Sequence, residues 1–154
     1  MSDTPNVSIV TLLHDWSELY VLFDHHWNTI EYPKEKLEWI IVDDSREDHS
    51  HLIPSHNNIL YIRISQEEGF LDKIEFPNDK DDIIKKLFTK FGRLPNGFLR
   101  DYGCGMSNNE NIFHMNADCI YNPKSIQRKS TFMKKVGADC IYCDTTLCYD
   151  IYGK

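Results

Sequence analysis

Two polar residues at the end of a short apolar run are the first candidates for chemistry in this chain. In Ile112-Phe-His-Met-Asn-Ala-Asp-Cys-Ile-Tyr-Asn-Pro123, Asn116 and Asp118 follow the apolar or half-apolar residues Ile112 to Met115. Such a run fits an interior strand of a parallel sheet. Open α/β sheets bind ligands where their strands end, at the carboxyl edge. Residues two apart on an extended segment point the same way, so both polar groups face one guest. A carboxylate with an amide oxygen suits a hard divalent cation, and the fitting guest is such a cation carrying a nucleotide diphosphate. Asp43-Asp44 repeats the pattern after Leu37–Val42. Adjacent side chains point opposite ways, so one aspartate faces the ligand and the other caps the loop from Ser45 to Ser50. The plainer alternative is a solvated turn rich in Asp and Ser.

The elements that must position these groups follow from the spacing of apolar residues. Val7–Leu13 reads as an interior strand, and Asp15 can cap a helix whose buried face is Trp16, Leu19, Tyr20, Phe23, Trp27 and Ile30. Glu31-Tyr-Pro33 ends it, and the strand Leu37–Val42 completes a βαβ unit with a right-handed crossover. Asn58–Ile64 is a third strand. Residues 65–80, interrupted by Gly69 and Pro77, read as a loop. The acidic run Asn78–Asp82 suits a helix start, and Ile83, Ile84, Leu87, Phe88 and Phe91 keep helical spacing up to Gly92. Leu94–Gly97 is a turn, and a short helix over Phe98–Ser107 bears Arg100. Asn122 and Pro123 open a helix to about Lys135 with Ile126, Ser130 and Met133 inward. After Gly137, residues 138–143 and 147–151 read as two final strands. No internal repeat or linker divides the chain, so residues 1–154 form one domain.

Composition sets the outer limits. A chain of 154 residues buries roughly 70% of its unfolded surface on folding. The balance of 24 acidic and 17 basic residues, net −7, disfavours nucleic acid, whose binding rests on clustered Lys and Arg. No apolar run approaches the ~20 residues of a transmembrane segment. Met1-Ser-Asp-Thr-Pro5 has neither the basic nor the apolar part of a secretory signal, which points to the cytoplasm. The five cysteines, Cys104, Cys119, Cys140, Cys143 and Cys148, are an odd number and read as reduced thiols. Cys140 and Cys143 lie three apart in a β-rich run, so they face opposite sides as small buried apolar residues rather than a zinc or redox pair. His25-His26 is expected on a helix surface, and His49 and His51 in a solvated loop. Trp16, Trp27 and Trp39 are expected in the core.

Four of these pieces, taken in order, resemble the family 2, GT-A fold glycosyltransferases. They are Val7-Ser-Ile-Val10, Tyr32-Pro33 ahead of Trp39-Ile-Ile-Val-Asp-Asp-Ser45, the Arg-Asp-Tyr-Gly run 100–103, and Asn-Ala-Asp-Cys-Ile-Tyr-Asn-Pro 116–123. The resemblance implies an α/β, Rossmann-like GT-A nucleotide-diphospho-sugar transferase fold, a mostly parallel sheet flanked by helices. It implies that the nucleotide is held by Thr11, by Asp43 or Asp44 at the base, and by Arg100, Asn116 and Ala117. The Asp-x-Asp position falls on Asn116 and Asp118, implying a Mn2+ or Mg2+ ion held mainly by Asp118. The implied partner is a nucleotide-diphosphate sugar, a UDP-sugar above all, and the implied reaction a metal-dependent, inverting transfer. Asp101 replaces the usual Asn of the arginine motif, and Asn116 replaces a carboxylate. Because the chain ends soon after Asp118, the resemblance implies a fold shortened at the C-terminus, and neither Asp144 nor Asp150 matches a family base. The catalytic base and the acceptor therefore stay unassigned. Two other classes compete: a nucleotide-sugar-binding domain without catalysis, and a receiver-like interaction module, which would need its acidic pair after the first strand rather than the second.

Overall fold

β-Branched runs that bury both faces set the centre of the molecule. The computed structural model describes residues 4–14, 21–64 and 94–143. Strand β1, Val7–Leu13, and strand β2, Leu37–Asp43, pair in parallel along their full length, from Val7 opposite Leu37 to Leu13 opposite Asp43. Ile9, Val10, Ile40, Ile41 and Val42 are wholly buried. Strand β3, Ile59–Arg63, adds to the outer edge of β2, and strand β4, Asn111–His114, adds to β1. The order is β3-β2-β1-β4 and every pair is parallel.

Alternate residues feed two cores. Ile9, Trp39, Ile41 and Phe113 meet Phe23 and Trp27 of helix α1, Val21–Thr29, and Ile126 of helix α3, Ser125–Val136. On the opposite face Val10, Ile40 and Val42 meet Leu94 and Leu99, the latter on helix α2, Asn96–Gly105. A sheet covered on both faces is what continuous apolar strands require. Trp39 is the centre of the first core: its ring stacks on Phe23 at 5.3 Å and on Trp27 at 6.0 Å, and Nε1–H donates to Thr11 Oγ1 at 2.9 Å.

The second core is tight enough to test. A Cβ at Gly103 of α2 would stand 2.7 Å from Val10 Cγ1 and 3.2 Å from Val42 Cγ2. Both neighbours are stiff, β-branched and buried, so they cannot turn away. Gly103→Ala is expected to cost about 1–3 kcal/mol, read as a lower urea midpoint with an unchanged slope.

Several expected boundaries move. β3 loses one residue at each end, and α2 begins at Asn96 rather than Phe98. Asn122-Pro123 closes a turn instead of starting the last helix. Asn122 Oδ1 accepts from Lys124 N at 3.0 Å, its carbonyl accepts from Ser125 N at 2.8 Å, and α3 begins only at Ser125. Gly137 ends α3 with φ +64°, the left-handed conformation that glycine adopts without a Cβ clash. Residues 138–143 form no strand and pair with none of the described strands. Cys140 and Cys143 are accordingly exposed rather than buried, and Tyr142 is 85% exposed.

The start of helix one at Asp15, with Trp16, Leu19 and Tyr20, lies outside the described residues. So do the loop 65–80, the helix expected after Asn78, Asp144, Cys148, Asp150 and the strand 147–151. Among the described residues, no helix is long and apolar enough to cross a membrane.

Candidate functional site

The chain runs from β1 outward through β2 to β3 and then returns to the other side of β1 as β4, so the strand order reverses between β1 and β4. Such a reversal opens a crevice at the carboxyl ends of the strands. A cleft of about 250 Å3 lies there, lined by Leu12, His14, Asn96, Arg100, Asn116, Ala117 and Asp118. β1 supplies Leu12, the residue just past its end is His14, α2 supplies the next two, and the segment after β4 the rest.

The β4 side is pinned from below. Met115 N donates to Val10 O at 3.0 Å and so extends the sheet to the brink of the cleft. Asn116 N donates to Tyr121 Oη at 2.9 Å, and His26 Nε2–H donates to Cys119 O at 2.9 Å. The Tyr121 ring meets His26 and Phe113 edge-on, at 5.7 and 5.9 Å. These contacts hold the exposed Asn116 and Asp118 on a supported turn. Arg100 reaches across from α2, and its Nη2–H donates to Asn116 Oδ1 at 3.2 Å. Cys119 Sγ–H donates to Asp118 Oδ1 at 3.4 Å.

The two adjacent aspartates part company. Asp43, fully buried, accepts from Ser45 N at 2.8 Å, from Tyr61 Oη–H at 2.6 Å and from His49 Nδ1–H at 3.3 Å. Burial, and then the bond to the Asp43 carboxylate, push the Tyr61 hydroxyl far up from its ordinary value of 10.0. Asp44 turns toward β1. It pairs with His14 Nδ1 through Oδ1 and accepts from Leu94 N through Oδ2 at 3.3 Å. His14 in turn meets Asn96 Oδ1 through Nε2 at 3.0 Å.

Arg100, Asn116, Ala117 and Asp118 are thus brought together, and Asp44 reaches the cleft through His14. Thr11 and Asp43 are set apart from it. Thr11 is 1% exposed beneath the cleft floor, where Trp39 holds its hydroxyl, and Asp43 points into the loop after β2. His14 and Asn96 were not among the residues expected here. The only signal for His14 was that a polar residue ends the apolar run of β1 at the same sheet edge as Asp44.

Two histidine expectations are corrected by the same geometry. His26 is not on a helix surface but 3% exposed, turned inward to the Cys119 carbonyl. His49 is not solvated but 6% exposed, turned to Asp43. Burial lowers the His26 pKa below 6.5, outweighing the bond to Cys119, and neighbouring His25 pushes the same way. Burial, then the nearby Arg100 charge, also lowers His114. A folded-state pKa below the unfolded value means that the unfolded chain binds the proton first. Stability is therefore full above about pH 6.5 and falls as pH drops toward the folded-state values. Thermal midpoints between about pH 7 and 5 should show this decline, and His26→Gln should flatten it.

A cation that the resemblance implies can be weighed against these donors. Among the described residues no three His, Cys, Asp or Glu side chains converge on a metal-sized site. Asp118 offers a carboxylate, while Asn116 Oδ1 already serves Arg100. The set fits a shared cation, one or two protein oxygens completed by ligand phosphates as Mg2+ commonly is, and does not fit an all-protein cage.

No family model and no curated protein matches the chain. Among solved structures it is similar to TarS of S. aureus. For the fragment 1–349 the TM-score is 0.54 at 11% identity, covering 84% of this chain and 32% of that one. The same fragment in complex with UDP-GlcNAc gives 0.53 at 11%, covering 84% and 31%. In complex with UDP it gives 0.54 at 12%, covering 84% and 32%. The chain therefore spans about a third of the length of these neighbours. The likeness is one of fold: α/β, with the parallel sheet and flanking helices of a Rossmann-like GT-A fold.

Proposed function

We propose that the cleft at the β1–β4 reversal binds a nucleotide-diphosphate sugar, most simply a UDP-sugar. On this reading the chain is the nucleotide-binding portion of a family 2-like, metal-dependent, inverting glycosyltransferase. The observation that carries the reading is the meeting, in one cleft, of a cation on α2 and a carboxylate after β4: Arg100 and Asp118, with Asn116 between them. Support also comes from the GT-A fold and from TarS, a fold neighbour crystallised with UDP-GlcNAc and with UDP.

Each residue then has a part. The Arg100 guanidinium forms charge-assisted bonds to phosphate oxygens and offsets negative charge on the departing diphosphate. Asn116, steadied by Arg100, has one lone pair left on its oxygen, for the ion or for a ribose hydroxyl. Ala117 keeps the floor low. Asp118, with Asn116, would hold Mn2+ or Mg2+ against the diphosphate, where the ion supplies Lewis-acid stabilisation. The acceptor hydroxyl must lose a proton, and no described residue is assigned that role. Asp118 is the only carboxylate among the described residues that line the cleft, and this favours a second reading, binding without transfer.

A thermal-shift series with UDP, with and without Mn2+, tests the binding. A midpoint that rises with UDP and rises further with Mn2+ is expected, because a ligand held by the folded state stabilises it by mass action. No shift at millimolar UDP under either condition would overturn the reading. Incubation with a panel of UDP-sugars separates the two versions, since released diphosphate requires chemistry.

A further inference from the structure

We propose that the outer face of α3 docks the protein on an anionic lipid bilayer, with Phe132 and Val136 entering the headgroup layer and Arg128 and Lys135 meeting lipid phosphates. Neither Arg100 nor Asp118 takes part, so the nucleotide reading of the cleft stands or falls separately.

Charge is unevenly spread along the chain. Between Asp118 and Asp139 there is no acidic residue and there are five basic ones, Lys124, Arg128, Lys129, Lys134 and Lys135, in a chain whose net charge is −7. All but Lys124 stand on α3. A basic helix on an acidic protein is a local complement to an anionic surface, and each Lys or Arg near such a surface strengthens binding about fivefold.

The same helix carries apolar side chains on its outward face. Ile126 turns into the core and Lys129 Nζ lies 4.8 Å over the Phe113 ring, which fixes the inward face. Arg128, Phe132 and Val136 recur at four-residue steps and form a separate stripe. Phe132 is 54% and Val136 51% exposed, and neither belongs to a core of the described residues. Lys135, three residues after Phe132, borders the same stripe. Lys124 pairs with Glu31 at 3.4 Å, which offsets its charge and leaves Arg128 and Lys135 as the cations beside the apolar pair. The segments before and after α3 add two more exposed apolar side chains, Ile120 and Tyr142.

Cations bordering an apolar ridge are what a bilayer interface takes up: headgroup phosphates meet the charges while the ridge leaves water for the acyl boundary. A nucleic-acid backbone would use the charges alone and leave Phe132 and Val136 in water.

Flotation of the full chain with vesicles of phosphatidylcholine, and with about a third of that lipid replaced by phosphatidylserine, is the test. Binding is expected to the anionic vesicles only. It should fall as salt is raised from about 0.1 M to 1 M, where the screening length shrinks from about 10 Å to 3 Å. Phe132→Ala should weaken partition about tenfold and Phe132→Leu should restore most of it. Arg128→Ala and Lys135→Ala should each weaken it about fivefold. All three side chains are exposed, so the variants should keep the wild-type thermal midpoint. Equal binding to the two kinds of vesicle, or binding to neither, overturns the proposal. So does Phe132→Ala that floats like the wild type, the behaviour of a surface that uses charge alone.

Discussion

Asp118→Ala should abolish the manganese-dependent part of UDP binding. The side chain is exposed on the turn after β4, so truncation leaves the two cores intact and the effect is confined to the ligand. Among the described residues that line the cleft, its carboxylate is the one negative charge, and Arg100 lines the same cleft. Without it, a hard cation keeps only the Asn116 oxygen, a neutral donor already engaged by Arg100, and binds too weakly to strengthen the complex. Titration calorimetry should give one UDP affinity with Mn2+ and the same affinity without it, while the wild type shows a gain of tenfold or more, on the order of 1.4 kcal/mol. Arg100 stays in place in the variant, so residual phosphate affinity should persist. Equal metal-dependent gains in both proteins would reject the assignment.

Trp39→Ala carries the largest expected effect on stability. The ring is 1% exposed, stacked on Phe23 and Trp27, and its N–H is spent on the Thr11 hydroxyl. Truncation removes the largest buried side chain of the core on that face and leaves a void between α1 and the sheet, a change worth about 3–5 kcal/mol. Against a total near 5–15 kcal/mol, that brings the protein close to unfolding at ordinary temperature. Chemical denaturation should show the loss, and Trp39→Phe should restore most of it. What stays missing in the phenylalanine variant is the bond to Thr11, about 1 kcal/mol.

The strands were legible because burial on both faces writes an unbroken apolar run. Val7–Leu13 was placed from sequence with the bounds it has in the structure, and Leu37–Val42 to within one residue. The carboxyl-edge logic located Asn116, Asp118 and Asp44, since where a strand ends is a local property. What could not be read is pairing between distant elements. Nothing near His14 announces that Asp44, thirty positions away, holds it, and nothing near His26 announces the Cys119 carbonyl. Histidine tolerates both water and burial, so periodicity alone did not distinguish a surface position from an inward one. The segment 138–143 failed for the opposite reason. Its mixture of Ile, Tyr and Cys satisfies a strand pattern, but a strand exists only where another strand accepts it.

The missing side chain at Gly103 has a consequence beyond stability. It lets α2 rest directly on Val10 and Val42, and Arg100 stands three residues earlier on the same rigid rod. The height of that rod above the sheet therefore gauges how far the guanidinium extends over the cleft. Methyl-sized changes in the greasy interior would be transmitted as a displacement of the positive charge, so the oily layer and the polar mouth of the cleft form one mechanical unit.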